Sequence, residues 1–195
     1  MKPYFETSQW AGVLLLVVTM GWGAMELAKA GSTREDATRI GGGARRLLIL
    51  PYLAVAGVML FLAPRLLPGA AIRPGAAAFA AGMVILVGGL VLRGWSIKSL
   101  DDYFTPGVMV SAEQPVIRAG PYRVLRHPSY TGFLLACAGL GLASANWVGV
   151  AVVVLVPLAF FLQCIHTEET ALTAALGDRY RAYASQHKRL VPFVW

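Results

Sequence analysis

Charge is what this chain has least of. Asp, Glu, Lys and Arg make up 14% of its 195 residues, and only ten are acids; soluble domains usually carry about a quarter. With 57% hydrophobic residues and a mean hydropathy of +0.62, too little polar surface remains to cover a water-soluble globule, so that class is excluded. Cysteine is nearly absent too. Cys137 and Cys164 fall in adjacent antiparallel apolar runs at depths about 10 Å apart by the helical rise, so no disulfide is expected. The three histidines, His127, His166 and His187, are scattered without ligand spacing, and no metal site is expected. Also missing are a phosphate loop of Walker or Rossmann form and a nucleophile elbow. Gly41-Gly42-Gly43 lacks the accompanying strand and reads as a flexible connection.

What is present is a series of long apolar runs. They predict an all-α, polytopic membrane protein with about five transmembrane helices, at residues 10–28, 47–62, 76–92, 129–143 and 147–164. Ala28-Lys29-Ala30 has the small-residue spacing of a cleavage site, but the run before it is long for a signal peptide and its flank is barely basic, so a first span is expected. Pro51 predicts a kink or late start in the second run. In the third, Gly82, Gly88 and Gly89 would let helices approach closely in lipid, and such small-residue faces would also allow a homodimer. The fourth and fifth runs are separated only by Ser144-Ala145-Asn146 and should form a tight antiparallel hairpin. From Thr167 the chain turns amphipathic, with Leu172, Leu176, Tyr180 and Tyr183 at helical spacing; this predicts a C-terminal surface helix starting with Thr167 as cap and ending near Gln186. The whole reads as one membrane domain, with three spans in residues 1–92 and a functional half in residues 93–195.

A formal charge of +7 is of the sign that nucleic acid attracts, yet the cations sit between apolar runs rather than on one continuous face. Membrane lipids with anionic headgroups are the expected partner. Cations concentrate in the first connection (Lys29, Arg34, Arg39, Arg45, Arg46), the third (Arg93, Lys98, Arg118, Arg123, Arg126) and the tail (Arg179, Arg181, Lys188, Arg189). With five spans the positive-inside rule puts the amino terminus outside, and the long third connection and the tail in the cytoplasm.

Chemistry concentrates in Gly120-Pro121-Tyr122-Arg123-Val124-Leu125-Arg126-His127-Pro128-Ser129-Tyr130-Thr131-Gly132. Gly120-Pro121 cannot continue a helix, whereas His127-Pro128 keeps His127 extended and lets Pro128 open a new helix at its first position. Two further polar groups stand at the same expected membrane depth: the Gln114-Pro115-Val116-Ile117 strip, and His166-Thr167-Glu168-Glu169 at the end of the fifth span. The hairpin must bring His127 and Glu168 to one face, which makes a candidate pocket. The alternative role of the turn is interfacial anchoring, with no catalysis.

At these residues the chain resembles the isoprenylcysteine carboxyl methyltransferase family and its phospholipid methyltransferase relatives. The resemblance rests on Tyr103-Phe104-Thr105-Pro106, Gly120-Pro121-Tyr122, the Arg126 to Gly132 turn, Glu168-Glu169, Gly177-Asp178-Arg179-Tyr180 and Leu190-Val191-Pro192, and it covers roughly residues 90–195. It implies an integral membrane enzyme using S-adenosylmethionine without a Rossmann domain and acting on a lipophilic acceptor, foremost a prenylated cysteine carboxylate. Carried over residue by residue, it implies that Gln114, Pro115, Val116, Ile117, Tyr122, His127, Pro128, Ser129, Tyr130, Glu168 and Glu169 hold the cofactor; Arg126 of the turn and His166, the basic group nearest the acidic pair, are the catalytic candidates. One departure stands out: Cys164 falls where the carboxyl methyltransferases place an arginine that orients the acceptor carboxylate. With an amine, hydroxyl or thiol acceptor, including a phospholipid, His166 would be the general base. Membrane sterol reductases share the Arg-His-Pro turn, so an NADPH-dependent reductase is the rival enzyme.

Overall fold

The structure, a computed structural model, describes residues 2–30, 38–40, 57–58, 60–104, 108–110, 114–192 and 194–195. Its helices are α1 (Tyr4–Thr7), α2 (Gln9–Ala30), α3 (helical over 60–66), α4 (Gly75–Leu100), α5 (Pro128–Ala143), α6 (Trp147–Leu176) and α7 (Asp178–Gln186). The body is helical as expected, with one addition: β1 (Thr38–Ile40) and β2 (Val108–Val110) pair antiparallel, Arg39 opposite Met109. Val108 and Val110 are β-branched, which suits them to such a ladder.

Among the described residues, three helices are long and apolar enough to cross a membrane: Gln9–Lys29, Gly75–Leu100 and Trp147–Leu176. At 16 residues α5 is apolar but short, as its sequence suggested. Most of the run expected at 47–62, with Pro51, lies outside the described residues, as does Gly41-Gly42-Gly43. Val17, Met20, Val84, Val91 and Leu155 are all more than half exposed on the outer faces of α2, α4 and α6, a surface that requires an apolar solvent.

The tightest seam joins α4 to α5. A Cβ built on Gly82 would meet the backbone of Gly139 and Ala143, and one on Gly89 that of Gly132 and Ala136. Reciprocally, Gly132 faces the backbone of Gly89 and Arg93, and Gly139 that of Gly82 and Leu86. In all four cases the nearest backbone atom lies under 3.0 Å away, so no side chain fits. Spaced seven residues apart on each antiparallel helix, the glycines return to the same face every two turns. Gly88, expected to share this role, points into open space one position round the helix.

Asn146 builds the far end of the α5–α6 hairpin. Fully buried, it caps α6 by accepting from the Val148 and Gly149 amides at 3.0 and 3.2 Å, and it donates to the Leu67 carbonyl at 2.9 Å. From there α6 runs 30 residues without a break at Thr167, which corrects the separate helix expected to start there. Nothing between Cys164 and Leu176 breaks a helix, and the Thr167 hydroxyl donates back to the Gln163 carbonyl at 3.1 Å instead of capping. The break comes at Gly177, whose φ of 55° suits glycine, and α7 then ends at Gln186 as expected.

Gly89→Ala is expected to lower stability by about 1–3 kcal/mol, because the added methyl meets backbone that cannot yield. Gly88→Ala should be neutral or stabilising by up to about 1 kcal/mol. Thermal unfolding midpoints in detergent compare the two; equal effects would contradict the seam.

Candidate active site

The site is assembled around the turn that leads into α5. Gly120 opens a 3₁₀ turn (Gly120–Arg123) with φ at 54°, and a Cβ there would strike Trp95 and Ser99 at the end of α4. Beyond it, Leu125 bridges in parallel to Lys188, the Arg126 amide donates to the Lys188 carbonyl at 2.8 Å, and the His127 amide donates to the Arg189 carbonyl at 3.1 Å. The Thr131 hydroxyl donates to the Leu190 carbonyl at 2.8 Å, so the tail straps the turn along its length. Tyr183 of α7 adds a clamp, its buried hydroxyl lying 2.8 Å from the Tyr122 carbonyl and 3.2 Å from that of Leu125. As the sequence required, His127 stays non-helical and Pro128 opens α5.

Both carboxylates of Glu168-Glu169 reach this turn. Glu169 accepts from Arg126 Nη1 at 2.9 Å and pairs with His127 Nε2 at 3.1 Å through Oε1, while Oε2 takes Arg189 Nη2 at 2.9 Å. Glu168 accepts from the Tyr130 hydroxyl at 3.1 Å and lies 3.7 Å from His127 Nδ1. Beside them the rings stack: His127 on Tyr130 at 5.6 Å between centroids, and Tyr130 on Phe161 at 4.5 Å. The Glu168 side chain is 33% exposed, and Arg126 Nε is buried without a hydrogen-bond partner among the described residues. Burial, and then Glu168 nearby, pushes the Tyr122 hydroxyl well above its ordinary range.

The remaining candidates are distributed around this centre. Ser129 points its hydroxyl and carbonyl at Arg93, and Pro128 is buried beneath the turn. The strip from Gln114 to Ile117 runs along α7: Val116 packs on Leu176, Tyr180 and Tyr183, the Gln114 carbonyl accepts from Arg179 at 3.4 Å, and Pro115 is exposed. His166 is not brought to the Tyr130–Glu168 face. It lines an open cleft of about 440 Å³ with Glu169, Thr170, Thr173, Arg181 and Arg189. Cys164 is buried in α6 and Cys137 in α5; neither forms a disulfide. Of the motif residues, Thr105 and Pro106 lie outside the described residues.

Sequence reasoning missed Arg93 and Glu26. Arg93 looked like a loop cation, but α4 continues to Leu100 and buries it, with its guanidinium forked onto Glu26 of α2. The available signal was Glu26 itself, the one acid in the first apolar run, since ionised groups at membrane depth occur in pairs.

A helical membrane hairpin whose polar end is closed by two carboxylates and an Arg-His-Pro turn is the class this geometry defines. Residues 81–174 match the model of the isoprenylcysteine carboxyl methyltransferase (ICMT) family, which bears out the resemblance read from the motifs. Protein-S-isoprenylcysteine O-methyltransferase A of Arabidopsis thaliana is 32% identical over 115 residues, covering 58% of each chain, and its form B is 30% identical over the same length. The Schizosaccharomyces pombe protein-S-isoprenylcysteine O-methyltransferase is 34% identical over 79 residues, 40% of this chain and 34% of its own. This chain thus spans less than two thirds of the curated relatives it matches. The solved structure of a eukaryotic intramembrane Ras methyltransferase ICMT superposes with a TM-score of 0.64 at 23% identity, over 80% of this chain and 55% of that one, which fixes the likeness of fold.

Burial holds the Tyr183 hydroxyl up at about 12 against an ordinary value near 10. Its folded value is raised, so its contribution to stability is complete below pH 10 and is lost as pH climbs through 12. Tyr183→Phe is expected to cost about 1–2 kcal/mol at neutral pH, from the two carbonyls left without their donor, and to flatten this part of the alkaline loss. Unfolding midpoints from pH 8 upward measure both.

Proposed function

We propose that the chain is an integral membrane methyltransferase that uses S-adenosylmethionine and acts on a lipophilic acceptor, foremost the carboxylate of a prenylated cysteine or a mimic of it. The observation that carries this reading is the joining of Glu168 and Glu169 to the His127–Tyr130 turn, within the stretch that matches the family. The groups present suit an amino-acid cofactor of this kind. Glu168 is partly open to an ammonium or to ribose hydroxyls, and Arg126 Nε, buried with no hydrogen bond to the described residues, is a donor suited to an oxyanion. The Gln114 to Ile117 strip and Tyr122 would hold an adenine edge through backbone groups.

When bound, the cofactor supplies a methyl group on a positively charged sulfur, activated for in-line displacement. This chain contributes alignment. Glu168 orients Tyr130, Glu169 holds Arg126 and His127, and the tail strap fixes the turn that carries them. The apolar rings of Phe133 and Phe161 keep water away from that end of the hairpin. Acceptor tails would remain in the bilayer, and with five spans the cation-rich connections would put the polar end at the cytoplasmic surface.

A second reading has its own observation. With Cys164 where the family's arginine is expected and His166 turned to the open cleft, an amine, hydroxyl or thiol acceptor would enter from the cleft, and His166 would take its proton.

Titration calorimetry with S-adenosylmethionine on the detergent-purified chain, NADPH alongside, tests the main reading. Micromolar binding is expected, weakened about tenfold or more by Glu168→Ala and less by Tyr130→Phe, together with labelled-methyl transfer to an N-blocked farnesylcysteine. Binding of NADPH in place of S-adenosylmethionine would overturn it. Loss of transfer in His166→Ala, confined to amine, hydroxyl or thiol acceptors, would move the assignment to the second reading.

A further inference from the structure

Glu168 and Glu169 reach the His127–Tyr130 turn from α6; a third carboxylate, on α2, is linked to it through Arg93. Both oxygens of Glu26 engage Arg93, Oε1 with Nε and Oε2 with Nη2 at 2.6 Å. The remaining arm of the guanidinium, Nη1, donates to the Ser129 hydroxyl at 3.0 Å and to the Ser129 carbonyl at 3.2 Å. Trp22 steadies the carboxylate through a 3.0 Å bond from its indole nitrogen, and the Arg93 guanidinium lies over the Phe133 ring at 5.1 Å. Arg93 is only 7% exposed, and its backbone is held against Gly132 by the α4–α5 seam. Its planar fork therefore has one orientation as long as Glu26 occupies the other side.

We propose that Glu26 is a positioning residue of the site: acting through Arg93, it fixes Ser129 and with it the first turn of α5, which carries His127 and Tyr130. Part of this rests on the reading that the turn holds the cofactor. The mechanical link from α2 to the turn does not. Glu26 lies outside the stretch that matches the family, so the link assigns the amino-terminal helix a part in the site that no motif indicates.

The test compares the full chain in detergent with Glu26→Gln, Glu26→Asp and Glu6→Gln. The last breaks another interhelical ion pair, Glu6–Arg65 at 2.8 Å, remote from the turn. Without cofactor, amide hydrogen exchange over residues 129–133 is expected to accelerate about tenfold in Glu26→Gln, to return most of the way in Glu26→Asp, and to stay unchanged in Glu6→Gln. The dissociation constant for S-adenosylmethionine should rise about tenfold in Glu26→Gln and recover in Glu26→Asp. Unchanged exchange in Glu26→Gln, or acceleration spread equally over α4 and α6, would overturn the inference while leaving the methyltransferase reading intact. If exchange responds as expected but the unaltered chain binds no S-adenosylmethionine, the positioning link stands and the cofactor assignment falls.

Discussion

Helices in lipid gain little by hiding apolar side chains from one another, so they associate through close backbone packing and paired polar groups. The α4–α5 seam supplies both, and the rest of the structure depends on it. Gly82 and Gly89 admit the backbone of α5, while Gly132 and Gly139 admit that of α4, and the register this imposes sets Arg93 directly against Gly132. From there its guanidinium reaches Ser129 in one direction and Glu26 in the other. A seam made for packing thus also decides where a buried charge meets the turn. A side chain larger than hydrogen at Gly132 would push Arg93 and Ser129 apart.

The two ends of the α5–α6 hairpin show how the same fold can be inert at one end and reactive at the other. At the Ser144–Asn146 end, the Asn146 amide is spent on capping α6 and on the Ala63 and Leu67 carbonyls, and among the described residues no charged side chain takes part in these bonds. Saturated polar groups stabilise and do little else. At the other end the groups are charged, partly open and not all satisfied. Glu168 is a third exposed, and Arg126 Nε has no hydrogen-bond partner among the described residues. Holding such a set together takes external support, which the tail supplies through main-chain bonds from Lys188 to Leu190 and the Tyr183 clamp.

Local chemistry made much of this legible. Pro128 as the first residue of α5, the three-residue hairpin turn, and the meeting of His127 with Glu168 all follow from turn and periodicity rules that act within a few residues. The readings that depended on long-range context went otherwise. Thr167 looked like a cap because two acids follow it, yet no glycine or proline interrupts the stretch after it, the Thr167 hydroxyl turns back to the Gln163 carbonyl, and α6 runs on to Leu176. Gly88 and Gly89 are indistinguishable in sequence; only the facing helix selects between them. Arg93 belonged by composition to a loop, and its burial depends on a carboxylate 67 residues earlier. The β1–β2 ladder joins two connections that show no shared pattern at all.

Charge balance is the constraint that ties the site to its proposed acceptor. Arg126 and Arg189 pair with Glu169, Arg93 pairs with Glu26, and Glu168 faces His127 and Tyr130, so this ion-paired cluster, unlike the cation-rich segments around it, is close to neutral before anything binds. In a low-dielectric site an uncompensated charge is costly, and the cost grows as water leaves. On the proposed reading, S-adenosylmethionine brings a sulfonium, an ammonium and a carboxylate, one net positive charge. A carboxylate acceptor cancels that charge and needs no proton removed, so the filled site returns to neutrality without an additional arginine. An amine acceptor would have to arrive uncharged or leave the site with a surplus cation facing Arg126 and Arg189. On the proposed reading, the pairing inside this hairpin suits an anionic acceptor even with cysteine at position 164, because neutrality is a property of the assembled cluster and not of any single residue.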